Sequence, residues 1–271
     1  MLELIMKYRS IINGFIRRSL EFDPVLFFWS LRKSRNNHNQ LKKLSESIFG
    51  KNVYLLGSGP SLDKVDLSKI KDSVVVFLNY SYLNHQKLSS SNKFFWMCIH
   101  TTVIEKAYAD VPNYITNIII PNSYWNFSGV KGASKGNSIY LHPKPSLKLG
   151  RILPSPSNVK LNSDDNSIVQ RAGIKLYPFS VMLNAIFLCL YCGSKKITCL
   201  GFDAPPKSVS SSPYSYAKGL PNSNKNSGFD LSQLESYLCK LLRYANSVGS
   251  SVVNCSPGSY ISVMPKSDEL L

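Results

Sequence analysis

The stretch NVYLLGSGPSL, residues 52–62, decides the fold. NVYLL is a short, near-continuous apolar run, the pattern of a strand buried on both faces of a parallel sheet. Gly57-Ser58-Gly59-Pro60-Ser61-Leu62 follows at once and leads into SLDKVDLSKI, read as a helix over 61–70. A strand that ends in Gly-x-Gly and passes straight into a helix lets backbone approach an anion, with the first free N–H groups of the helix facing it. The third glycine of a dinucleotide loop is replaced by Leu62, and no G-x-x-x-x-G-K-[ST] occurs. NAD(P) and P-loop nucleotide chemistry are therefore disfavoured, and a smaller phosphate ligand fits better.

Working outward, the same kind of run recurs as SVVVFLN (73–79), FFWMCIH (94–100), YITNIIIP (114–121), KKITCLGFD (195–203) and SVVNCS (251–256). Helical patterns fall between them at 61–70, 80–88, 102–109, 178–193 and 230–247. The last opens with Asp230 and carries Gln233 three residues on, a capping-box arrangement. The alternation predicts an α/β fold with a Rossmann-like, mostly parallel sheet and helices on both faces. Two stretches break it. Residues 122–176 are polar and rich in Gly and Pro, with only the β-like pieces SIYLHP and NVKL. Residues 204–229 form a long polar loop. They are read as a loop-rich insertion and a lid.

The chain of 271 residues has 32 Lys/Arg against 16 Asp/Glu, a net charge of +16. The excess is localised. Residues 1–51 carry +6 and residues 111–229 carry +10, whereas the remaining stretches cancel. Such placement points to anionic partners. In 1–51, Leu2, Ile5, Met6, Ile12, Phe15 and Ile16 alternate with basic residues. That segment either lies on an anionic membrane face or packs its apolar side on the domain. No apolar run approaches the ~18–20 residues that span a bilayer, and Lys7, Arg9, Arg17 and Arg18 interrupt any signal-peptide core. Six cysteines lie mostly in apolar segments and read as buried thiols of a reducing compartment; Cys189 and Cys192 are expected in the core rather than at a metal. The expected organisation is a basic N-terminal segment over 1–51, a catalytic domain over 52–265 and a tail over 266–271.

Polar residues end several of the expected strands, where ligands bind in open parallel sheets. Asn79 ends the second, His100 the third and Asp203 the fifth, and Ser256-Pro257-Gly258-Ser259 follows the sixth. Ser180, at the start of the apolar helix, is a further candidate.

These motifs together resemble the bacterial sialyltransferases of lipooligosaccharide synthesis and the related lipopolysaccharide-core Kdo transferases. The resemblance rests on Gly57 to Leu62, on Asn79, and on the spacing of Gly193, Lys196, Ile197, Gly201 and Asp203. Ser215 to Ala217 and the S-P-x-S of Ser256 to Ser259 complete it. It runs over 52–265 as scattered motifs. It implies a variant glycosyltransferase fold and inverting transfer of an acidic sugar, Kdo or sialic acid, from a CMP-activated donor to a glycolipid acceptor. Gly57, Ser58, Gly59, Pro60, Ser61, Asn79, Ser180, Ser256, Gly258 and Ser259 would then lie on the nucleotide side, and Tyr216 would hydrogen-bond the departing phosphate. Such donors leave a single phosphate, so no cofactor or metal is expected; the chain has no D-x-D. With the basic N-terminal segment holding it to anionic lipid, a peripheral enzyme on the cytoplasmic face of the inner membrane is expected.

Two departures stand out. Ser58 replaces the family's loop asparagine, and Asn224-Lys225-Asn226-Ser227 stands where the family has its general-base histidine. An inverting transfer still needs a proton acceptor. His100 is either that base or a hydrogen-bonded structural histidine, and Asp203 is either a base or a cap of the following turn. His142, His85, His38 and Lys225 are weaker substitutes. The alternatives are a phosphoryl transferase resembling the pterin pyrophosphokinases, disfavoured by the few acidic residues in 111–229, and a basic nucleic-acid-binding protein, which lacks that class's motifs.

Overall fold

The computed structural model describes residues 42–99, 103–104, 107, 110–121, 138–141, 180–204 and 231–271. Seven strands form one sheet: β1 (Asn52–Leu56), β2 (Val74–Leu78), β3 (Lys93–Met97), β4 (Asn117–Pro121), β5 (Ser138–Leu141), β6 (Lys196–Leu200) and β7 (Ser251–Asn254). Every neighbouring pair is parallel. The order is β5-β4-β3-β2-β1-β6-β7. The chain thus builds outward from β1 to β5, then returns to the other side of β1 to add β6 and β7. That reversal creates a topological switch between the carboxyl ends of β1 and β6, the place where open α/β sheets bind ligands.

The α/β reading holds, and the six expected strands form with trimmed ends. The seventh, β5, lies inside the expected insertion, at SIYL. Central strands explain their own composition. VVVFL of β2 is buried at every position, so alternation has no polar face to report.

Helix α1 covers 42–48, α2 is Val181–Tyr191 and α3 is Leu231–Ser247. Ser180 caps α2, its hydroxyl accepting the N–H of Met182 at 3.2 Å. The α2 sequence VMLNAIFLCLY is apolar almost all round because it is covered on several sides: Val181 to Ile186 and Leu188 to Leu190 are all buried. Its partner α3 buries one stripe, Leu234, Leu238, Leu241, Tyr244 and Ala245, and Tyr244 meets Phe187 with ring centroids 6.3 Å apart. Asp230 lies outside the described residues, as does most of the expected helix at 102–109.

Two helix expectations are corrected. Residues 61–70 form two short 3₁₀ turns, Pro60–Lys64 and Leu67–Lys69, and residues 79–87 form a third, Asn79–Lys87. Asp66 separates the first two, its carboxylate accepting the N–H of Ser68. The buried pairs Leu62/Val65 and Leu67/Ile70 are spaced by three, which suits 3₁₀ turns, where i and i+3 eclipse.

A compact unit runs from Lys42 to Leu271, and Leu44 and Ile48 of α1 are fully buried. The expected tail belongs to the fold. Lys266 bridges to Asn254, Glu269 pairs with Lys196 and Thr198, and Leu270 is buried with Leu56, Leu62 and Leu67. Residues 1–41 of the N-terminal segment expected over 1–51 lie outside the described residues. No helix among the described residues is long and apolar enough to cross a membrane.

Candidate active site at the β1–β6 switch

The loops after β1 and β6 interlock. Gly57 N–H donates to Leu200 O at 2.7 Å, Gly59 N–H to Gly201 O at 2.9 Å, and Ser61 N–H to Asp203 Oδ2 at 2.9 Å. The strand ladder is in effect extended past the strand ends, its last rung made by a side chain. The two glycines of G-S-G are required by this contact. A Cβ on Gly57 would come 2.5 Å from Gly201 O, and one on Gly59 would come 2.3 Å from Asp203 Oδ2. Gly201 itself sits at φ +62, and Ala204, three residues on, at φ +46. For alanine that left-handed conformation costs about 1 kcal/mol, and it turns the chain sharply after Asp203.

The anion cradle expected here is therefore modified. The first turn after the loop is five residues of 3₁₀, and the N–H groups of Gly57, Gly59, Ser61 and Leu62 already have partners within the protein. Half-buried Ser58 stands at the tip of the loop. Among the described residues, Ser61 Oγ, Ser194 Oγ, Asp203 Oδ1 and Asn254 Oδ1 are buried without a hydrogen-bond partner. All but Ser194 Oγ surround this junction. Buried polar atoms without partners are uncommon enough to require a cause, such as a water or a ligand.

Asp203 is 7% exposed. Burial raises its carboxyl above the ordinary 3.8, while hydrogen bonding from Ser61 and the charge of the Lys64 ammonium oppose the rise.

The turn after β7 locks onto the same loop. Ser256 Oγ accepts the N–H of Phe202 at 2.8 Å. Ser259 Oγ donates to Phe202 O at 2.7 Å and accepts from Asn254 Nδ2 at 3.0 Å and Ile261 N–H at 3.3 Å. Tyr260 N–H donates to Asp203 O at 3.0 Å. The two serines, expected on the nucleotide side, thus hold backbone, whereas Gly258, at φ +76, has open space around its α-carbon.

Across the sheet, Asn79 closes β2 in a left-handed conformation, φ +55, which asparagine tolerates better than most residues. The backbone carbonyl of Asn79 accepts the Trp96 indole N–H at 2.5 Å, and its Oδ1 accepts the Cys98 thiol at 3.2 Å. Ser81 Oγ accepts from Leu78 N–H and donates to Leu56 O, joining the ends of β1 and β2. Because α2 leads directly into β6, its N-terminus and Ser180 lie at this same carboxyl edge. The Ser180 hydroxyl serves as the cap.

Sequence reading located Gly57 to Ser61, Asn79, Asp203 and Ser256 to Ser259 at strand ends, and the structure places them, with Ser180, at one edge of the sheet. His100, Tyr216, His142, His38 and Lys225 lie outside the described residues. His85 falls away from this edge: its Nδ1 meets Tyr82 O at 3.1 Å, and its ring lies tilted against Tyr114, which precedes β4, with centroids 4.8 Å apart. Two contributors had been missed. Asn254 carried a signal, as a polar residue closing an apolar strand. Phe202 carried none, because it acts through its backbone. Cys189 and Cys192 lie in the core, as expected: five of the six cysteines are buried, and burial pushes the Cys192 thiol up to about 12.

No protein-family model matches this chain, and no curated protein matches it. Among solved structures, the chain is similar to the sialyltransferase CstII from Campylobacter jejuni, determined with a substrate analogue. The two are 16% identical over 80% of this chain and 85% of that one, with a TM-score of 0.49. At that score the likeness is not an argument for shared fold or function.

Proposed function

We propose that the chain is an inverting glycosyltransferase that moves an acidic sugar, Kdo or sialic acid, from a CMP donor to a lipopolysaccharide or lipooligosaccharide acceptor. One observation carries the reading: the G-S-G-P-S-L loop meets the Gly201-x-Asp203 loop at the sheet's switch point, joined by the Ser61 N–H to Asp203 Oδ2 hydrogen bond. That is the position of a nucleotide crevice in this architecture. The motifs meeting there are those through which the sequence resembles sialyl and Kdo transferases.

In this reading the nucleotide lies against Ser58, Ser61, Asn79 and the open turn at Gly258. An acceptor hydroxyl oxygen attacks the anomeric carbon as the bond from that carbon to the phosphate oxygen breaks. CMP departs with the electron pair, Tyr216 hydrogen-bonds its phosphate, and His100 takes the hydroxyl proton. The phosphate leaves without a metal ion. The +10 over 111–229 attracts the anionic donor and acceptor, and the basic N-terminal segment holds the enzyme on anionic lipid at the cytoplasmic face.

The test is direct. Purified protein is incubated with CMP-Kdo or CMP-sialic acid and a glycolipid acceptor, in chelator, and CMP release is followed. Release with either donor, together with a rise in Tm on adding CMP, supports the reading; no release and no shift overturn it.

A further inference from the structure

Asp203 was a candidate proton acceptor, yet its geometry fits another task. Its Oδ2 is bonded to the backbone N–H of Ser61 and occupies the space that a side chain at Gly59 would need. Its own backbone is held in turn, because Tyr260 N–H donates to Asp203 O, while Ser256 and Ser259 grip both polar groups of the Phe202 backbone. A line of hydrogen bonds therefore runs from the β7 turn through residues 202–203 into the β1 loop. We propose that Asp203 is a positioning residue whose Oδ2 sets the height of the Gly57–Ser61 loop, so that the loop rather than the carboxylate meets the nucleotide.

The inference rests on the glycosyltransferase reading for the ligand but not for the geometry. A catalytic base must reach an acceptor hydroxyl from outside. A carboxylate that is 7% exposed and has one oxygen bonded to a neighbouring loop is suited to holding that loop. The carbonyl oxygen of an asparagine can accept the same N–H, whereas alanine cannot. Substitution therefore separates the two roles.

The experiment compares Asp203→Asn and Asp203→Ala with the wild type in CMP affinity by calorimetry, in kcat and KM for donor turnover, and in hydrogen exchange at the Ser61 amide. Asp203→Ala is expected to weaken CMP binding about tenfold, the effect of losing one hydrogen bond made to a charged group, and to speed Ser61 exchange. Asp203→Asn is expected to restore most of that affinity and of the protection, with the residual loss in KM rather than kcat. The proposal is overturned if Asp203→Asn loses kcat as completely as Asp203→Ala while both bind CMP normally, because that is the signature of a proton acceptor. Equal Ser61 exchange in all three proteins also overturns it. If the wild type binds no CMP, the glycosyltransferase reading fails, and the exchange data still decide the loop-holding role.

Discussion

Asp203 and Ser61 stand 142 residues apart in the chain and are joined by a 2.9 Å hydrogen bond from the Ser61 N–H to Asp203 Oδ2. This bond ties the loop that ends the first strand to the loop that ends the sixth, across the point where the sheet reverses its order. A short carboxylate beside a side-chain-free glycine is what allows the two backbones to come so close.

The burial of Asp203 has a pH consequence. Its folded value is raised above the ordinary 3.8. The folded state therefore keeps this proton over a window in which the unfolded chain has lost it, and the contribution of Asp203 to stability falls as pH rises through that window. Asp203→Asn removes the penalty while keeping an acceptor for Ser61. Its Tm relative to the wild type is expected to be more favourable at neutral pH than below pH 3.8, as read by thermal melts across pH. A difference independent of pH would contradict this.

Gly59→Ala drives a methyl group into Asp203 Oδ2 and Gly201 O. A cost of about 1–3 kcal/mol is expected, the range for overpacking a site that can shift only partly. Asp203→Ala clears one of the two obstacles, so the double variant should be less destabilised than the sum of the singles. A urea double-mutant cycle measures that coupling; additivity would mean the two positions do not press on each other.

Ser259→Ala leaves Phe202 O without its hydroxyl partner and Asn254 Nδ2 with only a long contact of 3.4 Å. The group is 8% exposed, so water replaces it poorly, and a loss of about 1–3 kcal/mol is expected in chemical denaturation. Ser262→Ala serves as the exposed control. Its hydroxyl meets Glu235 at the surface, and it should cost far less.

Thiol chemistry gives a further check. Cys98, Cys189, Cys192, Cys199 and Cys255 are buried and Cys239 is half-exposed. In the native protein, an aromatic disulfide reagent should react rapidly with Cys239 and slowly with the others, and all six should react in denaturant. Rapid native reaction of Cys189 would show that α2 opens far more readily than its packing implies.

The strands were legible because a parallel sheet buried on both faces requires continuous apolar runs, and those runs are local facts of sequence. The long helices α2 and α3 were legible for a similar reason, one from its unbroken apolarity and the other from its single stripe. The turns at 60–69 and 79–87 were misread as α-helix, because three-residue and four-residue hydrophobic spacings overlap over so short a length. The strand β5 showed in the sequence only as the β-like piece SIYLHP, too short to be placed in the sheet from its own residues.

By itself, then, the sequence determined the α/β class, the strand ends where polar residues gather, and the localisation of the positive charge. Only the tertiary structure decided what those polar residues do. Ser180 caps a helix, Ser256 and Ser259 hold Phe202, and the glycines at 57 and 59 make room for Gly201 and Asp203 rather than for an anion alone. The reason is physical. Burial and periodicity are properties of neighbouring residues, whereas a hydrogen-bond partner is chosen by the sheet order, which brings together residues 61, 203 and 259 that the chain keeps far apart.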